Sequence, residues 1–294
     1  MTKPTMDSVA AADDAASLDT LVERITGIST LPQIALRVME VAQNPDATAA
    51  DLKVLVESDP TLSARVLRNV NSAANGLRLR ITNVQQAISY LGFNQIRNLA
   101  ITASVGEIFR VEEATGPYRR ANLWRHLVSV GVCARLVASR LALPNFDDAF
   151  LAGLLHDIGI ILEDQHAHGP FKNVVRNLQN DRTLAQIEQI FLGFDHTTLG
   201  ERIAEKWQFP PEIRDVIRFH HASKDYHGEH AELVQCVEIA NVVCTVKDIS
   251  SVGRKLVQAP KAAMAGLGLA LTDIKVLMED LSAELAMNEC LFEL

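Results

Sequence analysis

The sequence predicts an all-α fold, and three observations carry that prediction. Apolar residues recur at three- and four-residue spacing through most of the chain. No segment shows the two-residue alternation of a half-buried strand. Aromatic residues make up only 5% of the chain, while Ala and Leu, both strong helix formers, are abundant. The 294 residues, 48% of them hydrophobic, suffice for one large or two modest domains.

Residues 1–17, rich in Ala and Asp, read as a flexible tail with neither the hydrophobic core nor the cleavage pattern of a signal peptide. From Leu18 the helical pattern sets in. In "TAADLKVLVES", Thr48 and Asp51 form a capping-box signature. "DPTLSARVLRNVNSA" places Pro60 in the first turn of the next helix, where its missing N–H does no harm. "AANGLRLR" reads as a turn, "TNVQQAISYLG" as a helix from a Thr82 cap to a Gly92 stop, and "FNQIRNLAITASVGEIF" as another helix. These short helices form an N-terminal bundle over 18–112.

The polar stretch "VEEATGP" (111–117) ends in Gly-Pro and marks a boundary, with a second subdomain over 118–294. It opens with a long helix whose Leu123, Leu127, Val130, Ala134, Val137 and Leu141 make one buried stripe. Further helices are expected around 147–161, 184–207, 211–222, 230–247 and 272–288, with 265–271 as a loose connector. No apolar run reaches membrane-span length, so a cytoplasmic protein without membrane contact is expected. The net charge of −8 and a pI of about 5.6 argue against nucleic acid as a partner. Cys133, Cys236, Cys244 and Cys290 show no paired spacing and read as reduced core thiols.

The informative residues are polar ones on inward-facing stripes. His126 shares its side of the long helix with Val130, Cys133 and Val137. His156 and Asp157 sit inside the apolar run "GLLHDIGIIL". Ile213, Val216, Ile217 and His220 are spaced to aim His220 inward, with His221 about a hundred degrees around the helix. Asn241 shares a face with Val234, Val237 and Cys244, and His196 lies at a helix junction signalled by Gly193 and Asp195. Several helices thus send His, Asp or Asn toward one interior, as metal sites in helical proteins are built. Imidazoles suit Fe, Mn, Zn or Ni, and a carboxylate such as Asp157 can bridge two ions. A hydrogen-bonded polar network is the alternative. His166, His168, His227 and His230 read as surface residues, and Trp124 and Trp207 as packing. Arg65, Arg68, Arg78, Arg80 and Arg97 are basic and offer a phosphate-binding patch, Arg65, Arg68 and Arg97 above all, or else a solvated face.

Taken together and in order, "LPQIALRVMEV", "VESDPTLSARVLRNVNSA", "ITNVQQAISYLGFNQIRNLAI", "LWRH", "AFLAGLLHDIGIIL", "IFLGFDHTTLGERIAEKWQFP" and "IRFHH" resemble the HDOD proteins, regulatory relatives of the HD and HD-GYP phosphohydrolases. The resemblance implies an N-terminal helical bundle packed on an HD-like helical subdomain. It also implies that His126, His156, Asp157, His196, His220 and His221 fall on metal-ligand positions of the catalytic relatives. Their last ligand is an aspartate, a place that Asn241 takes here. A carboxamide binds dications more weakly than a carboxylate, and the ion nearest His126, His156 and Asp157 is the one expected to suffer. The Gly-Tyr-Pro signature of cyclic-di-GMP hydrolases is missing after His221, where the chain reads "ASKDYHGEH". The resemblance therefore implies a non-catalytic signalling role. It implies partners among nucleotide-signalling or two-component proteins, a nucleotide as a candidate ligand, and a divalent metal (Fe, Mn, Zn or Ni) at a partly retained HD site. The competing expectation is a metal-dependent phosphohydrolase or phosphodiesterase acting on a nucleotide or cyclic dinucleotide, with Asp157 in its catalytic centre. A receptor that binds a nucleotide without cutting it is a third.

Overall fold

A computed structural model describes residues 18–293, apart from 28–31, 45, 73–75, 78–79, 145, 179–180, 255 and 257. The expected tail over 1–17, Arg78 and most of the expected turn at 73–80 lie outside the described residues.

The first half is a set of short helices: α1 (Leu18–Gly27), α2 (Gln33–Gln43), α3 (Ala49–Glu57), α4 (Pro60–Val70), α5 (Val84–Leu91) and α6 (Phe93–Gly106). Local chemistry sets their ends. The Thr48 hydroxyl accepts from the Asp51 N–H while the Asp51 carboxylate accepts from the Thr48 N–H, which closes a capping box. Asp59 caps α4, and Pro60 takes its first position. The expected cap of α5 is displaced by one residue. Asn83 accepts from the Gln86 N–H, and the Thr82 hydroxyl instead bonds the Gln86 side chain. Either residue type can cap, so the pattern leaves a one-residue ambiguity.

The boundary stretch 111–117 is not a featureless loop. β1 (Ala114–Thr115) pairs with β2 (Tyr118–Arg119) in a two-stranded antiparallel hairpin, too short for alternation to reveal it. It leads into α7 (Arg120–Arg140), the central helix, which packs on α8 (Phe146–Leu155), α14 (Ala231–Val246) and α16 (Leu271–Met287). Between them run α9 (Ile158–His166), α10 (His168–Arg176), α11 (Leu184–Phe191), α12 (His196–Lys206), α13 (Pro211–Phe219) and α15 (Lys261–Gly266). The helix expected over 147–161 is broken at His156–Asp157. The end of α8 and the start of α9 are apolar nearly all round, so periodicity gives no sign of the break. α10 begins "HGP", which reads as a breaker, although proline in a first turn is harmless. Part of the expected connector at 265–271 is the end of α15.

One buried apolar cluster runs through both halves, from Leu21 on α1 to Leu291 near the C-terminus. Tyr118, Phe109, Phe171 and Leu127 are among its largest wholly buried members. α1 crosses to the second half and packs on α9 and α12. No helix among the described residues is long and apolar enough to cross a membrane. The four cysteines are unpaired, with Cys133, Cys236 and Cys244 buried.

Candidate metal centre

Three helices and one helix break bring the inward-facing polar residues to a single point. α7 supplies His126, the α8–α9 break supplies His156 and Asp157, the first position of α12 supplies His196, and the end of α13 supplies His220 and His221. The Asp157 backbone leaves helical geometry (φ −103°, ψ 22°), which is what the break accomplishes. α12 starts at His196 because Asp195 caps it, accepting from the Thr198 N–H and from the Thr197 and Thr198 hydroxyls.

Asp157 is the hub, and its two oxygens face different residues. Oδ2 lies 3.2 Å from His156 Nε2 and 3.6 Å from His126 Nε2. Oδ1 lies 3.1 Å from His220 Nε2 and 3.4 Å from His196 Nε2. Two ligand sets result: His126, His156 and Asp157; and Asp157, His196, His220 and His221. Within each, the candidate ligand atoms all lie within 4.8 Å of one another. His221 stacks near His220, ring centroids 4.1 Å apart, and is exposed.

The outer nitrogen of each buried ring is occupied. His126 Nδ1–H donates to the Ile249 carbonyl at 2.7 Å, His156 Nδ1–H to the Gly153 carbonyl at 2.7 Å, and His220 Nδ1–H to the Ile217 carbonyl at 3.0 Å. His196 Nδ1 lies 2.7 Å from Glu188 Oε2, which also accepts from the His196 backbone N–H. Carbonyls can only accept, so in His126, His156 and His220 these bonds fix a proton on Nδ1 and leave Nε2 of the neutral ring as a bare lone pair. The Nε2 atoms of His126, His156, His196 and His220, together with Asp157 Oδ1, are buried without a hydrogen-bond partner. Orphaned acceptors facing one another across about 3 Å repel unless a cation stands between them, and each costs on the order of 1–3 kcal/mol if left so. The residues present therefore fit divalent metal.

The electrostatics agree. Burial lowers the His126 pKa to about 4, helped by the adjacent His156, and burial likewise lowers that of His220 to about 4. Both rings are neutral at physiological pH, as metal ligands must be. Burial works against charge on His196 too, but the Glu188 carboxylate outweighs it and pushes the ring up to about 9, so in the metal-free chain its Nε2 carries a proton that a bound ion would displace. Burial would raise Asp157, yet the surrounding imidazoles, His156 first, hold its carboxyl well below the usual range. Behind Glu188 lies Glu163. Burial and the neighbouring Glu188 hold the Glu163 carboxyl well above its ordinary value, so it keeps its proton.

Glu188 and Glu163 are the residues that the sequence did not single out. A signal was present: Leu184, Ile187, Glu188 and Phe191 follow helical spacing, so Glu188 interrupts an apolar stripe as the histidines do. Asn241 is buried on α14 and accepts from the Thr245 hydroxyl at 3.4 Å. It lines a cavity of about 250 Å³ together with His220 and His221. Among the described residues the basic side chains do not form one patch. Arg65 and Arg68 line a common cavity, but Arg65 pairs with Glu107 and Arg68 with Glu293. Arg97 is buried and pairs with Asp148. Of the histidines expected at the surface, His227 is exposed, while His168 bonds Asp164 and His230 bonds Asp215.

The family model of the HDOD domain matches residues 28–223, a span that holds all five histidines and Asp157. The chain belongs to the HDOD family. It is similar to an HDOD domain protein of unknown function from Geobacter sulfurreducens, with 26% identity, a TM-score of 0.77, and 93% of this chain and 97% of that one covered. It is similar also to a protein of Marinobacter aquaeolei VT8 provisionally named for signal transduction, with 25% identity, a TM-score of 0.77, and 94% and 65% covered. An uncharacterized protein of Treponema pallidum (strain Nichols) is 26% identical over 231 residues, 78% of this chain and 44% of that protein. This HDOD chain thus spans less than half the length of that relative.

Proposed function

We propose that this HDOD chain is a non-catalytic cytoplasmic regulator. In this reading a metal-holding cage ties α7, α8, α12 and α13 together, and the output is contact with signalling proteins of the nucleotide-signalling or two-component kind. The observation that carries the reading is the closure of the centre. His126, His156, His196 and His220 are wholly buried and Asp157 is 1% exposed. The cavity that reaches His220 and His221 is about 250 Å³, below the roughly 300 Å³ at which small-molecule pockets begin. A nucleotide exceeds this cavity, so its entry beside the centre would require the wall at exposed His221 to open. Asn241 on that cavity wall contributes a neutral oxygen, where a carboxylate would bring charge to a dication.

His126, His156 and Asp157 would hold one ion, and Asp157, His196, His220 and His221 the other. Bound metal supplies Lewis acidity and an acidified water, and by binding only the folded chain it also adds stability. Glu188 orients the His196 ring, and the carbonyls of Ile249, Gly153 and Ile217 orient the other three. The signalling partners find support in the signal-transduction naming of the Marinobacter relative.

A metal-dependent phosphohydrolase acting on a nucleotide or cyclic dinucleotide is the second reading. The division of the Asp157 oxygens between two ligand sets favours it, since two-ion hydrolases need such a bridge. Turnover of a panel of nucleotides and cyclic dinucleotides, with protein loaded separately with Mn, Fe, Zn and Ni, decides between them. The regulator reading expects no turnover above that of His156→Ala. Robust hydrolysis that His156→Ala abolishes and Asn241→Asp enhances would replace it with the second.

A further inference from the structure

Outside the cage, a larger cavity of about 670 Å³ opens where the loop after α14 meets the start of α7, lined by Asn122, Arg125, Asp248, Ile249, Ser250 and Arg254 among others. We propose that this cavity binds a phosphate-bearing small molecule of nucleotide size, held by Arg125 and Arg254.

Its volume falls within the roughly 300–1,000 Å³ of small-molecule sites and well exceeds that of the cavity beside the cage. Charge points to an anion. The chain carries a net charge of −8, and its guanidinium groups are widely committed to carboxylates, as in Arg65–Glu107, Arg97–Asp148, Arg120–Asp164 and Arg218–Glu201. Arg125 and Arg254 are both exposed, and neither guanidinium has a carboxylate or hydrogen-bond partner among the described residues. Two planar donor forks against the single acid Asp248 leave this wall positive, and such forks match phosphate oxygens. The N-terminus of α7 adds to the field. Arg119 gives it no side-chain cap, and Asn122 in its first turn lines the cavity.

The walls are fixed. Gly253 has φ 75° and lies so close to the hairpin that a Cβ there would stand 2.9 Å from the Pro117 carbonyl carbon. Only glycine allows that approach, which pins the 248–254 loop onto the segment before α7. The same loop touches the cage, because the Ile249 carbonyl in the cavity wall accepts the His126 Nδ1–H at 2.7 Å. An occupant that shifts Ile249 therefore alters the orientation of one metal ligand, and by linkage metal and occupant change each other's affinity by the same factor.

Isothermal titration of the full chain, metal-stripped and metal-loaded, with adenosine 5′-diphosphate, guanosine 5′-diphosphate and inorganic pyrophosphate tests this. The expected result is binding of a nucleotide in both states, weakened at least tenfold by Arg125→Ala and by Arg254→Ala. Arg140→Ala, which lies outside both the cage and the cavity, leaves it within twofold. Both arginines are exposed, so their variants fold, and a wild-type thermal melt confirms it. Absence of nucleotide binding overturns the proposal, as does binding indifferent to both arginine variants. Binding that vanishes with His156→Ala places the phosphate on the cage metal and overturns it as well. Pyrophosphate binding as tightly as either nucleotide removes the claim of nucleotide size.

Discussion

Replacing Gly159 with alanine forces α9 and α12 apart at the point where His196 enters the cage. The added Cβ would stand 2.8 Å from the His196 carbonyl carbon, 3.0 Å from its Cα, and closer still to its oxygen. Ordinary contact begins at 3.4 Å, so the start of α12 must retreat by at least about 0.6 Å. The obstacle is backbone, which cannot rotate away. There is little slack one turn on, because a Cβ on Gly200 would itself stand only 3.5 Å from the Gly159 nitrogen. Overpacking of this kind costs about 1–3 kcal/mol, and the gain in helix propensity from Gly to Ala returns less than about 1 kcal/mol in a first turn. The net loss, about 1–2 kcal/mol, lowers Tm by roughly 2–8 °C in a domain of this size. A constellation tolerates about 0.5 Å of displacement, and His196 moves with its backbone. Metal binding by the set containing His196 and His220 is therefore expected to weaken more than tenfold, while the His126–His156 set retains its ion. Thermal melts and metal titration of Gly159→Ala measure both. A variant with the wild-type Tm and two tightly bound ions would refute the claim that this close approach positions His196.

Two further outcomes follow from buried charge. Because the folded state raises the Glu163 pKa above its unfolded value of about 4.3, its contribution to stability is complete below that value and is lost as pH rises through the folded pKa. Glu163→Gln keeps the shape and removes that loss, so its stability relative to wild type should increase from pH 5 to pH 9 in denaturant titrations; a constant difference would count against a protonated Glu163. Arg120 Nε donates to Asp164 Oδ2 at 2.5 Å, and Asp164 is 1% exposed. Arg120→Met leaves that carboxylate to Tyr118 and His168 alone and should cost about 3–5 kcal/mol at neutral pH. Arg120→Met/Asp164→Leu should recover most of it, and a single-variant cost under about 1 kcal/mol would show the pair to be solvated.

The helical class was legible because amphipathic periodicity and end signals act locally. Thr48 with Asp51 and Pro60 mark helix starts where the structure has them. The polar intruders on apolar stripes were legible for a related reason. A buried His or Asp is costly, so its place on an inward face is informative, and His126, His156, Asp157, His196 and His220 all meet at one point. What stayed hidden depends on tertiary context. The break at His156–Asp157 lies within a continuous buried run from Ala149 to Asp164, and the β1–β2 hairpin has two residues per strand. Glu188 lay on a stripe, but its role needed the neighbour at 2.7 Å to become apparent. The arginines were grouped by sequence proximity, whereas each takes a different carboxylate in space. The cavity at Arg125 and Arg254 joins residues more than a hundred positions apart, which no local pattern announces.

The most direct test of the cage is the metal content of untagged protein purified without chelator, read by elemental mass spectrometry beside His126→Ala and Asp157→Ala. Two ligand sets sharing Asp157 predict about two ions per chain in the wild type, about one in His126→Ala and none in Asp157→Ala. A wild type free of metal, or an Asp157→Ala variant that keeps the wild-type content, would contradict the account.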